Sequence, residues 1–195
     1  MYEESYDKLL LSPGAKPVKP DFPGMDSDRL FTLRTVEDTL RIREFIERQA
    51  AKTAVLVGGG YIGLEMAENL MEMGVQDTVV QRPAQLMNTL DYDMAAFVHA
   101  KMREKGAALK FGGNVTGFGT HDGLIEVYLK DEEPLCADMA VLAIGVSPDT
   151  DMAAQAGIRL GIKGSIVVND RMETSVPANK QGRIAAANIC GGDIL

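Results

Sequence analysis

Cysteine and histidine are scarce in this 195-residue chain, with two of each. Cys136 and Cys190 stand 54 positions apart with no C-x-x-C spacing, so neither a structural disulfide nor a redox dithiol is expected. His99 lies in an amphipathic stretch and His121 beside an Asp-Gly turn. Neither has a histidine or cysteine companion at ligand spacing, which argues against zinc. No G-x-S-x-G occurs, which excludes a hydrolase nucleophile elbow. No apolar run approaches the ~20 residues of a membrane helix. Met1-Tyr2-Glu3-Glu4 lacks the basic start and apolar stretch of a signal peptide, so a cytoplasmic protein is the expectation. Basic residues are in the minority, 20 against 28 acidic ones, for a net charge of −8 and a pI near 4.8. Such a surface does not neutralise phosphate broadly, so neither nucleic acid nor an anionic membrane is an expected partner. There is no internal repeat and no low-complexity tract.

What is present is an ordinary globular balance, 46% hydrophobic and 25% charged, enough for one full domain and an appendage. Residues 6–11 suggest a short strand. Pro13, Gly14, Pro17, Pro20, Pro23 and Gly24 then read as an extended linker, because so much proline suits neither a helix nor a central strand. Thr35 and Asp38 form a capping box for an amphipathic helix carrying Leu40, Ile42, Phe45 and Ile46. Ala54 to Val57 is all apolar, as in a parallel strand buried on both faces. Ile62, Met66, Leu70 and Met73 give a helix that Gly74 ends, and Val75 to Gln81 gives a second strand. Asp91 opens a further helix through Lys105. Leu109 to Phe111, Asn114 to Thr120 and Leu124 to Lys130 read as short strands, the last two joined by a His121-Asp122-Gly123 hairpin turn. Met139 to Ile144 returns to the buried-strand pattern and stops at Gly145. A short helix from Asp149, a strand at Ser165 to Asn169 and a helix over Ala178 to Cys190 complete the reading. The fold class is therefore α/β and Rossmann-like: a parallel sheet with flanking helices and a small antiparallel β-meander.

The candidate site is Gly58-Gly59-Gly60-Tyr61-Ile62-Gly63, a G-x-G-x-x-G on Gly58, Gly60 and Gly63. It follows an apolar strand, opens a helix, and precedes a second strand that ends at Gln81, the setting in which this pattern binds a dinucleotide. Gly58 permits the tight turn, Gly60 lets a pyrophosphate approach the backbone, and Gly63 lets the helix lie close to the sheet. The free N–H groups and dipole of the first turn then attract the diphosphate. The plainer alternative is a glycine turn with no ligand. Gln81 stands where a carboxylate commonly reads the adenosine ribose. An amide can bond a diol without repelling a 2′-phosphate, and Arg82 either pairs with such a phosphate or is a solvated surface arginine.

Val57 to Glu65, Val-Gly-Gly-Gly-Tyr-Ile-Gly-Leu-Glu, resembles the pyridine-nucleotide domain of the pyridine nucleotide-disulfide oxidoreductases, in the branch of coenzyme A-disulfide reductase and NADH oxidase or peroxidase. Tyr6 to Gly14, Leu90 to Ala95, Val141 to Pro148, Gly164 to Ser175 and Pro177 to Ala185 are similar to further segments of that family. The resemblance implies that Tyr61 covers the nicotinamide pocket, that Glu65 lies near the nicotinamide amide, and that Ala143, Ile144 and Gly145 let the dinucleotide approach the backbone. An exposed helix-start aromatic and a surface glutamate are the bland readings of the first two. Members also carry a flavin-binding unit with a redox cysteine, a second flavin motif and a dimerisation domain, none of which is matched here. Gly191-Gly192-Asp193 only echoes the second flavin motif. The expected division is a residual strand and proline-rich linker over 1–24, an NAD(P)H-binding domain over 25–176 and a helical remnant of the flavin domain over 177–195. NAD(P)H is the expected cofactor, with FAD belonging to the intact enzyme, whose flavin domain is the expected partner. The expected function is to position nicotinamide for hydride transfer to FAD, without catalysis by these residues alone. A stand-alone dinucleotide-sensing module is the alternative. A complete dehydrogenase is disfavoured, because no Ser/Tyr/Lys or His/Asp catalytic set can be placed.

Overall fold

The computed structural model describes residues 8–175 and 183–186. In chain order, β1 (Lys8–Leu11), β2 (Ala15–Pro17) and β3 (Leu30–Phe31) lead to α1 (Val36–Gln49), β4 (Thr53–Val57), α2 (Tyr61–Glu72), β5 (Gln76–Gln81) and α3 (Tyr92–Glu104). Then come β6 (Ala108–Phe111), β7 (Val115–His121), β8 (Leu124–Leu129), β9 (Leu135–Ala137), β10 (Met139–Leu142), β11 (Val146–Pro148), α4 (Asp151–Gln155) and β12 (Arg183–Ala186). The chain divides into two compact units, Pro17–Gly145 and the flanking residues before and after it.

The first unit is built on a parallel sheet in the order β3-β10-β4-β5-β6. Alternation along β4 explains its layers. Ala54 and Leu56 join Ile42, Met66, Leu70 and Met102 on the helix-covered face, while Val55 and Val57 join Phe118, Ile125 and Val127 of the meander. With both faces buried, every β4 side chain from Ala54 to Val57 is apolar, and each large one removed from water contributes roughly 1.5–3 kcal/mol. α1 begins at the expected capping box: the Asp38 amide donates to Thr35 Oγ1 at 3.2 Å and the Thr35 amide donates to Asp38 Oδ2 at 3.0 Å. The meander β7-β8-β9 turns on Asp122 (φ 49°) and Gly123 (φ 77°), a two-residue left-handed turn that matches strand twist. Asp77 is anomalous. It lies on the helix-facing side of β5, is only 3% exposed, and neither carboxyl oxygen has a hydrogen-bond partner, so burial pushes its pKa up to about 6.

In the second unit Leu11, Ala153, Ile158 and Ile166 form a small core, β2 pairs with β11, and Lys16 pairs with Asp151 at 2.7 Å. Thr150 precedes α4 and its Oγ1 donates to the Gly164 carbonyl at 2.8 Å.

Several elements differ from the sequence reading. The helix expected over Ala178 to Cys190 is a strand at Arg183–Ala186, paired in parallel with Lys8–Leu11; the rest of that span lies outside the described residues. Four mostly apolar residues fit either period, and a distant partner strand decided the outcome. The strand expected at Ser165 to Asn169 reduces to two isolated bridges, Leu160–Ile166 and Val168–Thr174, after a 3-10 turn at Ile162–Gly164. β10 stops at Leu142, leaving Ala143 and Ile144 in a loop before Gly145 at φ 125°. α3 ends one residue early, and Asp91 precedes it without capping through its side chain. The proline-rich stretch supplies the short strand β2, and β9 and β11 had no counterpart in the reading.

Candidate functional site

β4 connects onward to β5 on one side, while β10 lies against its other side. The crevice beyond the carboxyl ends of β4 and β10 is thus the switch point of the sheet, the place where open α/β sheets bind ligands. The glycine turn stands there. Gly58 takes φ 114° and donates its amide to the Val80 carbonyl at 2.9 Å; a β-carbon on it would collide with the Ala143 carbonyl. A β-carbon on Gly63 would collide with the Gly58 carbonyl, so the start of α2 rests directly on the turn. Gly59 is crowded by Leu86. Gly60, the residue before α2, differs: an added β-carbon would meet nothing within 4 Å. The backbone there faces open space at a helix N-terminus whose first turn carries no acidic side chain. First-turn amides lack intrahelical acceptors, so this surface suits an anion.

The Ala143 amide donates to the Val57 carbonyl at 2.7 Å, which sets Ala143, Ile144 and Gly145 beside the turn; Ile144 and Gly145 are exposed. Tyr61 is 66% exposed, Ile62 is half-buried, and Glu65 is exposed one turn beyond Tyr61. The carboxylate of Glu65 is thus on the surface, while its carbonyl accepts from Asn69 Nδ2 at 2.7 Å. Gln81 does something the sequence did not suggest. Its Oε1 accepts the Gly59 amide at 2.9 Å and its Nε2 donates to the Gln85 carbonyl at 3.2 Å, so the amide ties the glycine turn to the β5–α3 loop. Arg82 is exposed at the mouth of that loop.

The loop is held from further points. The Met87 amide donates to the Gly59 carbonyl at 2.8 Å, and Gln85 Nε2 donates to the Leu90 carbonyl at 2.8 Å. The Leu86 amide donates to His99 Nε2 at 3.0 Å. His99 is buried on α3, with Phe111 at 4.9 Å and Tyr92 at 6.2 Å between ring centroids. Burial, reinforced by the Arg103 charge, holds its pKa below the usual histidine value. Gln85, Leu86 and His99 were missed as contributors. The available signal was the stripe Ala95, His99 and Met102, at helical spacing on the buried face of α3. Among the described residues no group of three histidine, cysteine or acidic side chains could hold a metal, and Cys136 is a free, exposed thiol. The arrangement is suited to holding an anionic cofactor.

Known proteins resemble this chain over most of its length. A family model described as pyridine nucleotide-disulphide oxidoreductase matches residues 2–178. The chain is 36% identical over 177 residues to an NADH oxidase of Methanocaldococcus jannaschii, covering 90% of this chain and 39% of that protein. It is 32% identical over 176 residues to a coenzyme A disulfide reductase of Staphylococcus haemolyticus, covering 90% and 38%. The chain thus spans about two-fifths of the length of these curated relatives. Among solved structures, reduced Bacillus anthracis CoADR-RHD superposes with a TM-score of 0.86 at 41% identity, over 95% of this chain and 32% of that one. An engineered water-forming NADPH oxidase bound to NADPH superposes with a TM-score of 0.81 at 29% identity, over 94% and 40%. No helix among the described residues is long and apolar enough to cross a membrane.

Proposed function

The chain belongs to the pyridine nucleotide-disulphide oxidoreductase family, and from that premise we propose that it is the NAD(P)H-binding part of a FAD-dependent enzyme resembling coenzyme A disulfide reductase or NADH oxidase. The observation that carries this reading is Gly60: half-buried, with empty space where a β-carbon would stand, at the start of α2 and at the switch point of a parallel sheet. The space a side chain would fill is the space a pyrophosphate needs. In the proposal Gly58 and Gly63 shape the turn, Gly59 is held by Gln81, and the amides of Gly60 to Gly63 face the phosphates. The backbone of Ala143, Ile144 and Gly145 borders the nicotinamide half. Tyr61 covers that half and Glu65 lies near its amide. The bound cofactors supply the redox chemistry, with hydride passing from reduced nicotinamide to flavin; the protein supplies position. FAD is assigned to the portion of such an enzyme that these residues do not match, so this part alone turns nothing over.

The last residue of β5 and the one after it support acceptance of NADPH. The engineered NADPH oxidase carries a glycine-to-alanine change and, eighteen positions later, aspartate to alanine followed at once by alanine to arginine. The same interval separates Gly63 from Gln81 here, with Arg82 next. This chain keeps glycine at the first of these positions, where a β-carbon would meet the Gly58 carbonyl. The other two remove a carboxylate and add a guanidinium, which is how Gln81 and Arg82 already stand.

Calorimetric titration with NADPH and NADH, together with a visible absorbance scan of the purified protein, tests the reading. Saturable binding of both nucleotides and no flavin band are expected. A folded protein that gives no heat with either nucleotide, or one that carries stoichiometric flavin, overturns it.

A further inference from the structure

His99 lies outside the dinucleotide crevice, yet hydrogen bonds lead from it to the glycine turn. The Leu86 amide donates to His99 Nε2, and the next amide, Met87, donates to the Gly59 carbonyl. Leu86 is fully buried and presses on Gly59, where an added β-carbon would collide with its side chain. The Gly59 amide returns to Gln81, whose own amide reaches Gln85, one residue before Leu86. The circuit closes on a single acceptor that can gain a proton. Accepting the Leu86 amide requires an imidazole with Nε2 bare and its hydrogen on Nδ1. A second proton would set one N–H against another and leave the buried Leu86 amide without an acceptor, a costly arrangement.

Resting on the dinucleotide reading above, we infer that His99 is a positioning residue of that site: its unprotonated Nε2 fixes the 82–90 loop against Gly59, so dinucleotide affinity falls when this imidazole takes up a proton. The ring contacts, hydrogen bond and nearby charge around His99 are consistent with a neutral state. From β6 it meets Phe111, and from the β5–α3 loop the Leu86 amide. On α3 itself it meets Tyr92 edge-on, and the Arg103 charge opposes protonation. The sign is fixed by linkage. Binding favours the loop that needs neutral His99, whose pKa already lies below the ordinary histidine value, so affinity is full at and above that value and declines as the pH drops below it.

NAD+ is the suitable probe, because it lacks the 2′-phosphate that itself titrates near neutrality. Its dissociation constant is measured by calorimetry from pH 7.5 to 5.0 for the wild type, His99→Gln and His99→Leu. The wild type is expected to weaken at least threefold across that range. His99→Gln, whose amide oxygen accepts the Leu86 amide without titrating, is expected within threefold of wild type at pH 7.5 and flat with pH. His99→Leu is expected at least fivefold weaker at pH 7.5; if it does not fold, the other two proteins decide the matter. A wild-type affinity that is flat with pH, or a His99→Gln variant that keeps the wild-type slope, overturns the inference alone. Absence of NAD+ binding by folded wild type at pH 7.5 overturns the dinucleotide reading as well.

Discussion

At the residue scale, the four glycines of the turn are occupied in different ways, and only Gly60 could take a β-carbon without crowding its neighbours. This separates stability from binding. Gly60→Val is expected to leave the urea midpoint near that of the wild type and to weaken NADPH binding by at least ~2 kcal/mol, the scale of lost charge-assisted hydrogen bonds. Unchanged affinity in the folded variant would reduce the motif to a structural turn. Asp77 poses the opposite case, a residue with a cost and no visible partner. Its carboxyl holds a proton up to about pH 6 in the folded protein against 3.8 ordinarily, so the folded state binds more protons between those values. Stability is therefore highest below that window and falls as the pH rises through it. Asp77→Val is expected to raise stability at pH 8 by on the order of 1 kcal/mol, a gain that narrows towards pH 5. Urea melts at the two pH values check this, and no gain at pH 8 would mean that the carboxylate has found solvent.

At the element scale, the legible parts were those where sequence punctuation and burial agree. Ala54 to Val57 between Lys52 and three glycines could only be a short buried strand, and the Thr35–Asp38 box announced α1 within a residue. The Asp122-Gly123 hairpin was equally plain, since both residues take positive φ. Gly123→Ala should cost about 1 kcal/mol of stability, read from a urea melt, while leaving nucleotide binding unchanged. The illegible parts were short elements whose identity depends on distant pairing. β9 exists because Leu135 to Ala137 lie against β8, β2 because Ala15 to Pro17 lie against β11, and β12 because it meets β1. The crevice was readable through glycine, whereas its support was not. Nothing local to Gln81 indicates that its amide turns back to Gly59, and nothing local to His99 indicates that it receives Leu86.

At the scale of the whole molecule, the five-stranded sheet, its helices and the meander form one compact unit from Pro17 to Gly145, and every residue assigned to the dinucleotide lies inside it. The proposal that the nicotinamide and flavin halves are separable depends on that unit binding its nucleotide without the remainder of such an enzyme. Cofactor choice follows from its two ends. With Gln81 neutral and Arg82 exposed, NADH and NADPH affinities are expected within about tenfold, roughly 1.4 kcal/mol. Arg82→Ala should weaken NADPH while sparing NADH. Gln81→Glu should keep the Gly59 contact, lose the bond to the Gln85 carbonyl, and repel the 2′-phosphate, weakening both nucleotides but NADPH more, which shifts preference towards NADH. Paired titrations measure both ratios, and a ratio unmoved by either change would place the adenosine end elsewhere.

The central claim is that the amides at the start of α2 hold the dinucleotide's phosphates, and the amide chemical shifts of the labelled protein test it without any variant. On titration with NADPH the largest shifts are expected at Gly60, Tyr61, Ile62 and Gly63, with smaller ones at Ile144 and Gly145. Saturable binding that leaves these amides in place and moves others instead would contradict the account.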